Sequence, residues 1–152
     1  VLHRPKGKDP IKDPMMNGPD GATRPLHVLI EHEDVERRHE LMQQFLDRGF
    51  DVSACGGPHA LDDDTCPLVI AGGCPLVAAA DIVFFDLDLD DRNEAAVYHA
   101  IRQQYPDLPI VLEMPLAAAR RHHDDLIGAT VVPPFDTDHL VQVVDDAVCR
   151  VA

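Results

Sequence analysis

From His27 onward, short β-branched apolar runs alternate with longer segments whose apolar residues return every three or four positions. A brief apolar run suits a buried strand, and a three-to-four spacing suits a helix with one apolar face. The runs "HVLIE" (27–31), "FDVSA" (50–54), "DIVFFD" (81–86), "PIVLE" (109–113) and "ATVV" (129–132) are predicted strands. A helix is predicted over 34–49, with Val35, Arg38, Leu41, Met42, Phe45 and Leu46 on one face and Gly49 as its stop. A second, over 92–106, turns Ala96, Val97, Ala100 and Ile101 inward and ends at Pro106. Asp91 and Glu94 have capping-box spacing at its start. "LAAARRHHDDLIG" (116–128) is predicted as a helix stopped by Gly128. The segment from Asp136 is predicted as a helix with Leu140, Val144, Ala147, Val148 and Val151 on one face.

Alternating strands and helices imply right-handed crossovers and a parallel sheet covered on both sides. Five such units predict an α/β, flavodoxin-like, doubly wound sheet of five parallel strands in the order 2-1-3-4-5. The working cleft then lies outside the carboxyl ends of strands 1 and 3. Those strands end in "EHED" (31–34) and in Asp86, so the two acidic ends should meet there. Residues 55–80 fit the scheme worst. They hold Pro, Gly and a tandem "CPLV" at 66–69 and 74–77. A shortened second helix with an inserted loop is expected, with a small extended piece at "LVIAG" (68–72). Residues 1–26, rich in Pro and Gly, are expected to be a disordered leader ahead of one domain over 27–152. The natural start is expected near Met15 or Met16, with the residues before it an addition.

The 152-residue chain suits one domain with a full core. Its 27 acidic against 13 basic residues give a formal charge of −14. Such a chain repels phosphate backbones, so direct nucleic-acid binding is not expected. A basic protein partner or a divalent cation suits it better. No apolar run reaches the length of a membrane span. Cys55, Cys66, Cys74 and Cys149 form no C-x-x-C pair, and a cytoplasmic protein with reduced thiols is expected.

In their order and spacing, "VLIEHED" (28–34), "FFDLDLDD" (84–91), "YPDLPIVLEM" (105–114) and "GATVVPPFDTDHL" (128–140) resemble the receiver domain of bacterial response regulators. The resemblance covers about residues 27–150. It implies an acidic pair after strand 1 and an aspartate ending strand 3 that hold Mg²⁺, with that aspartate accepting a phosphoryl group. A Ser/Thr after strand 4 and a Lys after strand 5 would then contact the phosphoryl oxygens. Carried onto this chain, the acceptor is Asp86 and the acidic pair falls on His32 and Glu33. The hydroxyl position falls on Met114, beside Glu113. The aromatic switch falls on Thr130 and the lysine on Pro133. Glu33, Asp86 and Asp88 are the candidate ligands of a degenerate Mg²⁺ site. Without the lysine and the hydroxyl, no cationic or hydroxylic side chain is expected beside a phosphoryl group.

Such losses resemble pseudo-receivers, which signal through protein contacts. The leading expectation is therefore a regulatory protein that is not an enzyme and requires no cofactor. Its partner would be a sensor kinase or an output protein, and a homodimer would form through residues 116–150. Two alternatives are a phosphorelay regulator phosphorylated on Asp86 with Mg²⁺, and the N-terminal pseudo-receiver of a larger transcription or antitermination regulator. A third, from another class, is redox or haem sensing through Cys66-Pro67 and Cys74-Pro75. The loop "CPLVIAGGCPLV" is more simply a partner-binding patch. Asp34 is expected to cap the first helix, and His32 to be a plain solvent-facing histidine. His122 and His123 are expected on the exposed face of their helix. The Pro133–Pro134 bond is expected to be cis.

Overall fold

A computed structural model describes residues 24–60, 65–134 and 137–150. Five strands, β1 (His27–Glu31), β2 (Asp51–Cys55), β3 (Ile82–Asp86), β4 (Ile110–Glu113) and β5 (Thr130–Val132), form one sheet in the order β2-β1-β3-β4-β5. Every pairing is parallel. The expected flavodoxin-like topology is therefore present, with strand ends within one residue of those predicted.

Alternation along the strands divides the core in two. Leu29, Val83, Phe85 and Leu112 face one side, where they pack with Val97, Tyr98 and Ile101 of α4 (Arg92–Gln104). Val28, Ile30, Phe84 and Val111 face the other, against Leu41 and Phe45 of α1 (Val35–Asp47) and Leu140, Val144 and Ala147 of α6 (Thr137–Cys149). Central strands buried on both faces explain why β1 and β3 read as unbroken apolar runs. On the predicted face of α1, Val35 and Leu46 are in fact exposed. The sheet is reached by a narrower stripe centred on Leu41 and Phe45. Val151 lies outside the described residues, as does the leader up to position 23. Arg24 belongs to the fold, because its guanidinium makes two hydrogen bonds to Asp81, at 2.7 and 2.8 Å.

Segment 55–80 is irregular as expected, but its content differs. A 3-10 turn (Pro58–Ala60) leads to two short helices, α2 (Pro67–Ile70) and α3 (Pro75–Ala79). Cys66 and Cys74 are their N-caps, each followed by Pro at the first turn, where a missing N–H costs nothing. The expected extended piece at 68–72 is instead helical to Ile70 and bent at 71–72, because Cys66-Pro67 starts a helix that buries Leu68.

The helix expected over 116–128 stops early, as α5 (Leu116–Arg121), and turns occupy 122–128. Side chains of α4 capture that segment's backbone. The Tyr98 hydroxyl donates to the Asp125 carbonyl at 2.7 Å, and Arg102 donates to the Ile127 carbonyl at 2.7 Å. Gly128, at φ 85°, then redirects the chain into β5. The Pro133–Pro134 bond is not cis, since no cis peptide bond occurs among the described residues.

Tyr98 is fully buried, so Tyr98→Phe removes one hydrogen bond and leaves the packing intact. The expected loss is about 1 kcal/mol in urea unfolding, with faster amide exchange over 122–128. Unchanged exchange there would mean that Tyr98 does not hold the turns.

Candidate functional site

The paired ends of β1 and β3 make the site. Glu31 lies opposite Phe85, so the next residues, His32 and Asp86, come side by side. The Asp34 amide donates to His32 Nδ1 at 3.0 Å. Nε2 therefore carries the ring proton and stands 3.1 Å from Asp86 Oδ2, at ion-pair distance. An Arg38 N–H donates to the His32 carbonyl and closes the turn. His32 is thus not solvent-facing. Its side chain is 8% exposed, hydrogen-bonded at Nδ1 and close to the Asp86 carboxylate at Nε2. Asp34 caps α1 as expected, accepting from the Arg37 amide at 2.7 Å.

Asp86, 41% exposed, opens onto a cleft of about 320 Å³ with Glu33, Asp88, Asp90, Glu94 and Arg121 at its walls. Burial lifts its carboxyl above the usual range. His32 opposes that rise, Glu33 adds to it, Arg37 opposes it and Asp88 adds again. The expected meeting of the "EHED" end with Asp86 is therefore present. Asp88 is partly committed elsewhere. Its Oδ1 accepts from the Asp90 amide at 2.9 Å, and its own amide donates to Glu94 Oε2 at 2.6 Å. Glu94 thus reaches Asp88 where a reciprocal capping box would reach Asp91, while Asp91 caps α4 through the Asn93 and Glu94 amides.

At the other switch positions, Met114 is buried and its amide donates to the Val132 carbonyl at 3.1 Å. Pro133 is exposed just past β5, and Thr130 is half-buried at its start. The expectation of no cationic group in the cleft is corrected. Arg121 lines it, and Arg37 reaches across α1 to Glu113 at 3.8 Å. Each is already paired. Arg121 bonds Asp90 at 2.6 Å, and Arg37 also approaches Glu40 at 3.6 Å. His122 joins them. Its Nε2 meets Asp90 Oδ1 at 2.8 Å, so it is not on an idle helix face, whereas His123 is exposed. These bonds hold the Asp90 carboxyl below its ordinary range, Arg121 contributing most. Sequence spacing could not reveal Arg121 or His122, because they come from a segment expected to be an exposed helix.

Three other groups have surroundings that the sequence did not reveal. Glu31 is 7% exposed, and burial first, then Glu94, pushes its carboxyl up to about 8. Glu113 is buried, and its carboxyl is raised chiefly by that burial. Third, His59, Asp91 and Glu94 bring one ligand atom each within 4.8 Å of one another. Burial also raises the Cys55 and Cys66 thiols, which makes neither a ready thiolate. No helix among the described residues is long and apolar enough to cross a membrane.

The fold is similar to solved receiver structures. A response regulator receiver protein from Sinorhizobium medicae superposes with a TM-score of 0.62 at 15% identity, covering 84% of this chain and 98% of that one. TrrA from Thermotoga maritima, a response regulator protein solved with Mg²⁺-BeF, gives 0.57 at 18% identity, covering 80% and 98%. NtrX from Brucella abortus, solved with ADP, gives 0.62 at 21% identity, covering 84% of this chain but 27% of that one. No family model and no curated protein matches the sequence. At these identities the likeness establishes the receiver fold.

The raised Glu31 carboxyl sets a pH dependence. The folded protein keeps that proton to about pH 8, whereas the unfolded chain releases it near 4.5. Between those values the folded state binds more protons, so stability falls as pH rises. Glu31→Gln removes the penalty. The variant should gain on the order of 2 kcal/mol over the parent on going from pH 5 to pH 8, read by urea unfolding at both. A parent-to-variant difference that does not change with pH would contradict this assignment.

Proposed function

We propose that this chain is a signalling module that keeps the receiver fold but acts through protein contact, with its phosphoryl pocket closed to the ordinary switch. One observation carries this reading: the His32 imidazole stands against Asp86, with Nε2 3.1 Å from Oδ2. In a working receiver pocket that carboxylate would bind a metal with one oxygen and attack the phosphoryl donor with the other. Here an imidazole stands 3.1 Å from Oδ2, at the position where the family's pattern would put a carboxylate. Glu33 and Asp88 remain as donors for Mg²⁺, but a phosphoryl group would meet Met114 and Pro133, which offer no hydroxyl or ammonium. Without those two contacts a new dianion has nothing to pull on.

The module would be read by a protein partner, a sensor kinase or an output protein. The surface suited to that contact, or to a second copy, lies within 116–150. There Leu116, Leu126, Ile127 and Val131 line an apolar groove of about 320 Å³, with Leu116 and Ile127 exposed. Like NtrX, of which it matches a part, the module could also serve inside a larger regulator. A second reading, phosphorylation of Asp86 with Mg²⁺, is favoured by Arg121. It lines the same cleft and would stand in for the lysine if it left Asp90.

The test is amide NMR of the full chain with Mg²⁺ and beryllofluoride. The parent should show no adduct at Asp86. The triple variant His32→Asp, Met114→Thr, Pro133→Lys should gain Mg²⁺-dependent shifts around the cleft, with its fold checked by circular dichroism. A stable Asp86 adduct in the parent would overturn the proposal in favour of the phosphorelay reading.

A further inference from the structure

The cluster of His59, Asp91 and Glu94 lies on the α4 side of the sheet, outside the ligand set that the receiver fold would use. His59 is the middle residue of the 3-10 turn after β2, next to buried Pro58. Asp91 and Glu94 belong to the start of α4. Each carboxylate has its two oxygens divided. Asp91 Oδ1 accepts from the Asn93 and Glu94 amides at 2.8 and 3.0 Å, and Glu94 Oε2 accepts from the Asp88 amide. The second oxygens, Asp91 Oδ2 and Glu94 Oε1, stand 3.1 and 3.8 Å from His59 Nε2.

We infer that His59, Asp91 and Glu94 form a binding site for a divalent transition metal of the Zn²⁺ class, with a ligand set distinct from Glu33, Asp86 and Asp88 although Glu94 also walls the Asp86 cleft. A tetrahedral ion with ligands at 2.0–2.1 Å needs ligand atoms about 3.3 Å apart. The observed 3.1 and 3.8 Å bracket that value, so small side-chain shifts are enough to admit the ion. One imidazole and two carboxylates suit zinc, and three protein ligands leave a fourth position for water or a partner's side chain. The backbone donors on the outer carboxylate oxygens orient both ligands before the ion arrives.

A second observation points the same way. Glu31 is 7% exposed and has no hydrogen-bond or ion-pair partner among the described residues. It lies two residues after Leu29, on the face of the sheet that carries α4. Its Oε1 lies 3.0 Å from where a Cβ on Gly57 would stand, in the loop that delivers His59. Glu94 is the charge it feels most. An ion held by Glu94 would bring a cation toward this buried, unpartnered acid.

The experiment is calorimetric titration of Zn²⁺ into the full chain, with melting temperature followed in parallel. One ion should bind per chain and raise the melting temperature. His59→Asn and Glu94→Gln should each weaken binding at least about tenfold. Glu94→Gln keeps an oxygen for the Asp88 amide, so the loop stays closed. Glu33→Gln, Asp86→Asn and the pair Cys55→Ser, Cys66→Ser should bind as the parent does. The inference fails if no saturable one-to-one binding is seen, which leaves His59 in an ion pair only. It fails equally if both ligand variants bind normally, or if the Asp86 or cysteine variants lose the ion.

Discussion

Strands β1 and β3 are held in parallel register with Ile30 opposite Phe84 and Glu31 opposite Phe85. Both strands are buried on both faces, so a slip of one residue would exchange the two halves of the core and expose neither correctly. That constraint fixes what happens one step further on, where the strands run out and the chain turns polar. His32 and Asp86 are the first residues past the locked pairs. Their contact is the continuation of the register, and the character of the cleft follows from what stands at those two positions. A carboxylate at position 32 would bring two anions together and call for a metal. An imidazole whose Nδ1 is taken by the Asp34 amide brings a donor to Asp86 instead.

The same logic runs around the rim. With 13 basic residues against 27 acidic ones, cations are scarce, and several stand where carboxylates crowd. Arg24 holds Asp81, Arg37 reaches Glu113, and Arg121 with His122 holds Asp90. Exposed pairs of this kind add little stability one at a time. Their effect is positional: each fixes a side chain that would otherwise be repelled from its neighbours. Glu31 is the exception, buried beside Glu94 and held in its protonated form to about pH 8.

Much of the fold was legible because central parallel strands announce themselves as apolar runs and because Asp34, Gly49 and Asp91 mark helix ends by their own local chemistry. The failures have a common cause. Residues 116–128 have a helical composition, yet Tyr98 and Arg102 of a distant helix bind the backbone carbonyls of Asp125 and Ile127. His32 looked like a surface histidine because nothing in its neighbours says that a turn folds it back onto Asp86. Arg121 is indeed an exposed helix residue, but its pairing with Asp90 has no local signature either. That Asp86 ends β3, and that Glu33, Met114 and Pro133 follow β1, β4 and β5, was readable from the strand pattern, whereas the partners of Asp86 were not. Local pattern reports a residue's own backbone, and side-chain partners separated by dozens of residues are decided by the tertiary fold.

Glu94 joins the two halves of the site. Through Oε2 it holds the Asp88 amide, and through Oε1 it faces His59, while its side chain also walls the Asp86 cleft. The loop after β3 is therefore braced from both directions, by Glu94 at Asp88 and by Arg121 and His122 at Asp90. A phosphoryl switch needs this loop and the β4–α5 connection to shift when a dianion arrives. Here a shift would break charge-assisted bonds on both flanks, and neither Met114 nor Pro133 offers a polar contact in exchange.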